Sequence, residues 1–260
     1  MIGWVGRKTI GGALYATDLT YFILQSLNAI RERRKADNVA TARALNAQIV
    51  FGGLDALPIV TLLALAVGVS ITMQILALGD ALSGGADVIQ LLTSIVGMEL
   101  GSLLTAIVLI GRSGSAIAVD LGNMKLHGEV EGLELLGINL MDFFVAPRVL
   151  GMAIAQLVLA TYFTWIALYG GVVISGALIS TSYFDYLRPL GHSITPTAVA
   201  IYAGKNLLFG LIVAGTACFH ALRVGRSPTE VPQQTQRAIA TSLVLVFVID
   251  GLFALARSGA

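Results

Sequence analysis

Charged residues are scarce in this chain, at 12% of 260 positions, about half the fraction a soluble domain carries. That scarcity excludes an ordinary water-facing surface. A net charge of +1 excludes the strongly basic footprint of a nucleic-acid partner. Cysteine occurs once, at Cys218, so no intrachain disulfide can form. His127, His192 and His220 are scattered, and no metal site of the usual ligand spacing can be read from them. No G-x-x-x-x-G-K-[ST] phosphate loop occurs; the nearest stretch, "AGKN" at 203–206, lacks the first glycine and the hydroxyl. The chain therefore cannot hydrolyse ATP by itself. Internal repeats of 20–50 residues are absent. The opening "MIGWVGRKTIGGALYATD" has an Arg7-Lys8 pair but no sustained apolar core before a small-residue cleavage site, so no removable signal peptide is expected.

What is present is apolar sequence, 56% of the chain, in runs long enough to cross a hydrocarbon layer about 30 Å thick. Five runs stand out, about 49–79, 88–111, 149–181, 197–222 and 238–256, and they predict an all-α membrane protein. The first and third exceed the roughly 20 residues a crossing needs, so they should tilt, project, or bend at Pro58 or Gly170-Gly171. Residues 1–48 are set apart from this five-span domain, 49–260. Ile10, Leu14, Phe22, Ile23, Leu27 and Ile30 are spaced loosely as one helical face and precede the basic "RERRK", which suits a helix lying in the membrane interface. Lys and Arg fall mostly on one side: seven before residue 48, three in 111–148 and three in 223–237, against Arg188 and Arg257. The positive-inside rule then predicts a cytoplasmic N-terminus and a C-terminus on the opposite side.

The segment "GRSGSAIAVDLGNMKLHGEVEGLELLGINLMDFFVAPR" (111–148) gathers much of the remaining charge. Within it Leu126, Val130, Leu133 and Leu136 recur at helical spacing while Glu129, Glu131 and Glu134 take other faces. A short amphipathic helix over about 124–137 is expected, stopped by Gly137. Such a helix can fill a groove on a soluble partner. Its acidity argues against rest on the anionic cytoplasmic leaflet.

Three ionisable residues fall inside apolar runs. Glu99 is placed at the centre of the second, where an acid costs about 2.5–3.5 kcal/mol, so it is expected either to line a watery or headgroup-filled lipid cavity or to hydrogen-bond within the helix packing. Lys205 lies nine residues in from Pro196 and Asp250 seven back from Arg257, so the two reach similar depth and are expected to pair across the fourth and fifth spans. A lipid tail needs an apolar wall and its headgroup a few polar anchors. The outer half of the first span offers both in Met73, Gln74, Leu76 and Leu78.

The run "GRSGSAIAVDLGNMK", then "EVEGLELLGI" and "APR", with "MELG" at 98–101 and Gln74 upstream, resembles the MlaE/YrbE permeases, membrane subunits of ABC transporters that move phospholipid between the membranes of diderm bacteria. Met98 stands where that family usually has an arginine. The resemblance implies an interfacial elbow helix before five transmembrane helices in the bacterial inner membrane. It implies that 124–137 is a coupling helix, with Leu126, Glu129, Val130, Glu131, Leu133 and Glu134 meeting a separate ATPase subunit that binds ATP and Mg. A homodimer is implied too, with a lipid cavity lined from the first span. Further implied partners are a periplasmic MCE lipid-binding protein and a small cytoplasmic regulatory subunit. Two other readings use the same residues. An ion-coupled secondary transporter would use Glu99, Lys205 and Asp250, and a membrane anchor for a cytoplasmic partner would use the amphipathic helix alone. An intramembrane protease would need Ser113 of "GRSG" beside His220 as base.

Overall fold

The computed structural model describes residues 15–28 except 16 and 27, 46–79 except 47 and 51, 99–174 and 195–258. No strand occurs among them. The helices are, in chain order, α1 (17–26), α2 (Leu57–Gly79), α3 (Gly101–Leu126), α4 (Glu129–Leu135), α5 (Met141–Ile174), α6 (Pro196–Ala221) and α7 (Glu230–Ser258). Five helical stretches are long and apolar enough to cross a membrane, Gln48–Gln74, Gly101–Leu126, Met141–Ile174, Pro196–Ala221 and Glu230–Ala256. The protein is an all-α, multi-pass membrane protein.

The second and third spans differ from expectation. Rather than ending at 111, α3 runs to Leu126, so most of the charge at 111–126 sits on a helix and not in a loop. Residues 88–98 lie outside the described residues. Gly111 and Gly114 read as punctuation in the sequence, but they occupy a π-helical turn, Ile110–Gly114, inside α3. Likewise α5 starts at Met141 with a second π turn, Met141–Val145. Pro147 follows in the first turn of the regular helix, where a nitrogen without hydrogen leaves no bond unmade. At 34 residues, α5 spans about 51 Å at 1.5 Å per residue, well over the thickness of a hydrocarbon core. The connection between α3 and α5 is thereby reduced to 127–140.

Helix ends follow from local chemistry. Thr195 caps α6, its hydroxyl accepting from Ala198 N–H at 3.3 Å, with Pro196 at the first helical position. Glu230 opens α7 with its carboxylate on Gly225 N–H at 2.6 Å, a favourable sign at a helix N-terminus.

At the centre is α6, packed on α3, α5 and α7 and buried almost all round from Phe209 to Ala221. A helix apolar on every face belongs in such a place. Two close approaches set the packing. A Cβ on Gly210 would stand 2.4 Å from Ala153 Cα, so α6 and α5 touch backbone to backbone. Similarly, a Cβ on Gly68 would stand 2.3 Å from Ala167 O, where α2 crosses α5 at its third π turn, Ile166–Gly170. Small residues permit this in lipid, where close van der Waals contact replaces a hydrophobic drive between helices. The described part of the N-terminal segment also packs on α6: Leu19 and Phe22 are buried, Phe22 meets the Phe219 ring edge-on at 5.6 Å, and Ile23 fills the space over Gly215.

Gly210→Ala should cost about 1–3 kcal/mol by overpacking, whereas Gly111→Ala, whose added methyl meets nothing within 4 Å, should be neutral or slightly stabilising. Thermal unfolding of the two variants in detergent micelles checks the contrast.

Candidate functional site

Among the described residues, Lys205 on α6 is the most deeply buried cation, with its side chain 4% exposed. Its ammonium lies 2.7 Å from Glu99 Oε2, just before α3, and against Asp250 Oδ1 on α7. Phe209, one turn along α6, presents its ring at 5.7 Å. An isolated charge is very costly in this setting, and pairing with hydrogen bonding is what makes it tolerable. Three helices therefore converge on one ammonium, which two carboxyl groups approach at once. The sequence pointed Lys205 at Asp250 alone. Glu99, a candidate for the lipid cavity, has its half-buried carboxylate in the same cluster. Of the other cavity candidates on α2, Met73 is half-buried and Gln74 exposed, both beyond the Gly68 crossing. The side chains of Leu76 and Leu78 lie outside the described residues.

Beside the ion cluster runs an uncharged polar layer that the sequence reading missed. Gln156 of α5 donates from Nε2 to Ser102 O at 3.1 Å and to Asn206 Oδ1 at 3.1 Å. Asn206 Nδ2 donates in turn to Ser102 Oγ at 3.0 Å and to Tyr202 O at 2.9 Å. The Tyr202 hydroxyl meets Thr164 at 3.1 Å. Ser102, Gln156 and Asn206 are all fully buried. The signal was available: an Asn and a Gln within apolar spans mark interhelical hydrogen bonds.

Among the described residues, the opposite end of the bundle carries most of the other charges, largely in pairs. Arg112 reaches Asp55 at 3.1 Å, Arg148 bonds Asp120, Lys125 bonds Glu131, and Arg223 lies over the Phe219 ring at 4.0 Å. Here α4 is shorter than the predicted 124–137, covering only Glu129–Leu135. Gly128, at φ 75°, ends α3, and Gly137, at φ 76°, ends α4. The latter closes with Ile138 N–H on Leu133 O at 3.1 Å and Gly137 N–H on Glu134 O at 2.9 Å, the paired bonds of a left-handed helix stop. Leu126 belongs to α3. Val130 is 2% exposed, so it anchors α4 to its own bundle instead of facing outward, and Leu133 is half-buried. Outward stand Glu129, Glu131, Glu134, Leu135 and Leu136, with the two leucines 89% and 76% exposed. The hydrogen bond from Lys125 holds the Glu131 carboxyl below its ordinary pKa. The pair therefore persists at neutral pH and is lost only as pH falls through that lowered value.

The protease geometry is absent. His220 Nε2 meets the Tyr15 hydroxyl at 2.6 Å and Nδ1 faces Gln234 Oε1 at 3.1 Å, while Ser113 Oγ is buried without a hydrogen-bond partner among the described residues. Nor do three His, Cys, Asp or Glu side chains gather as metal ligands among those residues.

In a double-mutant cycle, Lys205→Ala and Asp250→Ala together should cost less than the sum of the single losses, by about 0.5–3 kcal/mol. Unfolding of the detergent-solubilised chain measures this, and strict additivity would mean that the pair contributes nothing.

These features can be set beside known proteins. The family profile described as Permease MlaE matches residues 45–256. A probable ABC transporter permease protein of Synechocystis is 30% identical over 150 residues, 58% of this chain and 57% of that protein. The chloroplastic protein TRIGALACTOSYLDIACYLGLYCEROL 1 of Arabidopsis thaliana is 25% identical over 184 residues, 71% of this chain and 53% of its own length. A probable ABC transporter permease protein of Rickettsia felis is 23% identical over 205 residues, 79% of each chain. The aligned stretch thus spans little more than half the length of the first two relatives. With five membrane-length helices and a family match across nearly all of them, the chain belongs to the MlaE permease family.

Proposed function

We propose that this chain is the transmembrane subunit of an ABC transporter that moves phospholipid between the inner membrane and the periplasm or outer membrane, driven by ATP hydrolysis in a separate subunit. The observation that carries the reading is α4. Three glutamates and Leu135 project from a helix of 7 residues, with Leu136 exposed just past its end, and the helix is fixed at both ends by left-handed glycines and anchored through Val130. An apolar pair so exposed on a rigid mount is suited to a groove in a soluble partner. Glu129, Glu131, Glu134, Leu135 and Leu136 would meet the ATPase, which binds ATP and Mg. Val130, Leu133 and Leu126 would carry the displacement into α3 and the bundle.

In this reading the basic end is cytoplasmic, as the distribution of Lys and Arg favours, and the C-terminus is periplasmic. Two copies pair to enclose a lipid cavity, walled in part by Met73, Gln74, Leu76 and Leu78, with Glu99 at its charged edge. A periplasmic MCE lipid-binding protein would exchange lipid with that cavity, and a small cytoplasmic subunit would regulate the motor. Closure of the ATPase pair would push α4, and rigid helices would transmit the push to the cavity.

Glu134→Lys combined with Leu135→Ser should abolish co-purification of an ATPase subunit and lower ATP-driven lipid movement at least tenfold, leaving the amount of inserted chain unchanged. Undiminished co-purification would place the docking face elsewhere. Mass spectrometry of lipid retained by the intact complex tests the substrate: enrichment of phospholipid supports the reading. Transport by the chain alone in liposomes under an ion gradient would replace it with a secondary transporter.

A further inference from the structure

We propose that Gln156 is the positioning residue of the Lys205 ion cluster: its carboxamide fixes α3 against α6 at the register in which one ammonium can reach two carboxylates. The inference stands on the geometry of the cluster and not on the transport reading.

Lys205 is on a flexible stem, yet it must satisfy Glu99 from the start of α3 and Asp250 from α7 at once. A modest rotation of α3 about its axis would carry Glu99 out of reach. What opposes that rotation is a closed triangle of uncharged groups. Gln156 spends both Nε2 hydrogens, one on the Ser102 carbonyl and one on Asn206 Oδ1, and Asn206 closes the figure on the Ser102 hydroxyl. Ser102 lies three residues after Glu99, on the same face of the helix, and Asn206 adjoins Lys205 in sequence. The triangle therefore grips both ion-pairing helices within one turn of the charges. Gln156 comes from α5, which contributes no charge to the cluster, so it acts on the cluster only through the two helices it holds. Its mount is stiff, because α5 and α6 touch backbone to backbone at Gly210 and Ala153. All three members are fully buried, and little water can substitute for a lost bond. Removing the carboxamide takes away the two bonds that Ser102 O and Asn206 Oδ1 accept from α5 and frees α3 to turn.

The test uses the full-length chain in native membranes and the apolar reagent dicyclohexylcarbodiimide, which attaches to protonated carboxyl groups. A buried carboxylate that loses its ammonium takes up a proton, so labelling of Glu99 reads the pairing directly. Lys205→Met serves as the positive control and sets the full response. Gln156→Met, close in volume but without the amide, should raise Glu99 labelling at least threefold over the unmodified protein, as followed by peptide mass spectrometry. Ser102→Ala, a milder change, should give a smaller rise in the same direction. If Gln156→Met reaches the membrane at too low a level, Ser102→Ala decides alone. Should Lys205→Met label strongly while the folded Gln156→Met and Ser102→Ala chains label like the unmodified protein, Gln156 is only a packing residue and the proposal fails.

Discussion

The need to satisfy a lysine ammonium inside an apolar helix bundle organises much of this structure. In water Lys205 would need nothing; in a membrane helix it demands partners, and the only groups able to serve are carboxylates brought by other helices. Asp250 and Glu99 lie 45 residues after and 106 residues before it in sequence, so the demand is met only when α3, α6 and α7 are correctly assembled. The ion cluster is thus a specification of topology as much as a source of stability. The neighbouring layer of Gln156, Asn206 and Ser102 extends the same constraint to α5 in uncharged form, since a backbone or amide group in hydrocarbon must also find its partner within the protein.

Polar specification works here only because the helices approach so closely. Gly210 against Ala153, and Gly68 against Ala167, leave no space for even one methyl group. Three π turns lie within α3 and α5, and each inserts a residue that shifts the facing surface of the helix. The turn at Ile166–Gly170 coincides with the Gly68 crossing, and that at Ile110–Gly114 presents Arg112 to Asp55. Widened turns of this type are common where function requires an irregular helix.

The two ends of the bundle are chemically unlike. Near the Lys205 level the charges are buried and shared among helices. At the opposite end they pair at the surface, where each pair is worth little, and α4 stands among them with its apolar anchor inward and its leucines outward. A rigid connection from an exposed helix into α3, and from α3 through the polar layer to the ion cluster, links the two ends through packed side chains.

Composition and periodicity by themselves determined the all-α class, the number of crossings, the absence of an ATP-binding loop and the short acidic helix. These follow from properties a residue carries wherever it sits: transfer cost, charge, and the conformational freedom of Gly137. The depth argument even brought Lys205 to Asp250, because rise per residue is fixed. Tertiary structure alone decided the rest. Whether α3 stopped at Gly111 or ran through it depended on the burial of Ile110, Ser113 and Gly114 around it. Which face of α4 turned inward depended on the burial of Val130, and the leucine periodicity is blind to direction. That Glu99 belongs to Lys205, and that Gln156 reaches Ser102 and Asn206, rests on contacts between residues 50 to 106 positions apart. Local sequence carries no record of such distances, because the energy that selects them exists only once the helices meet.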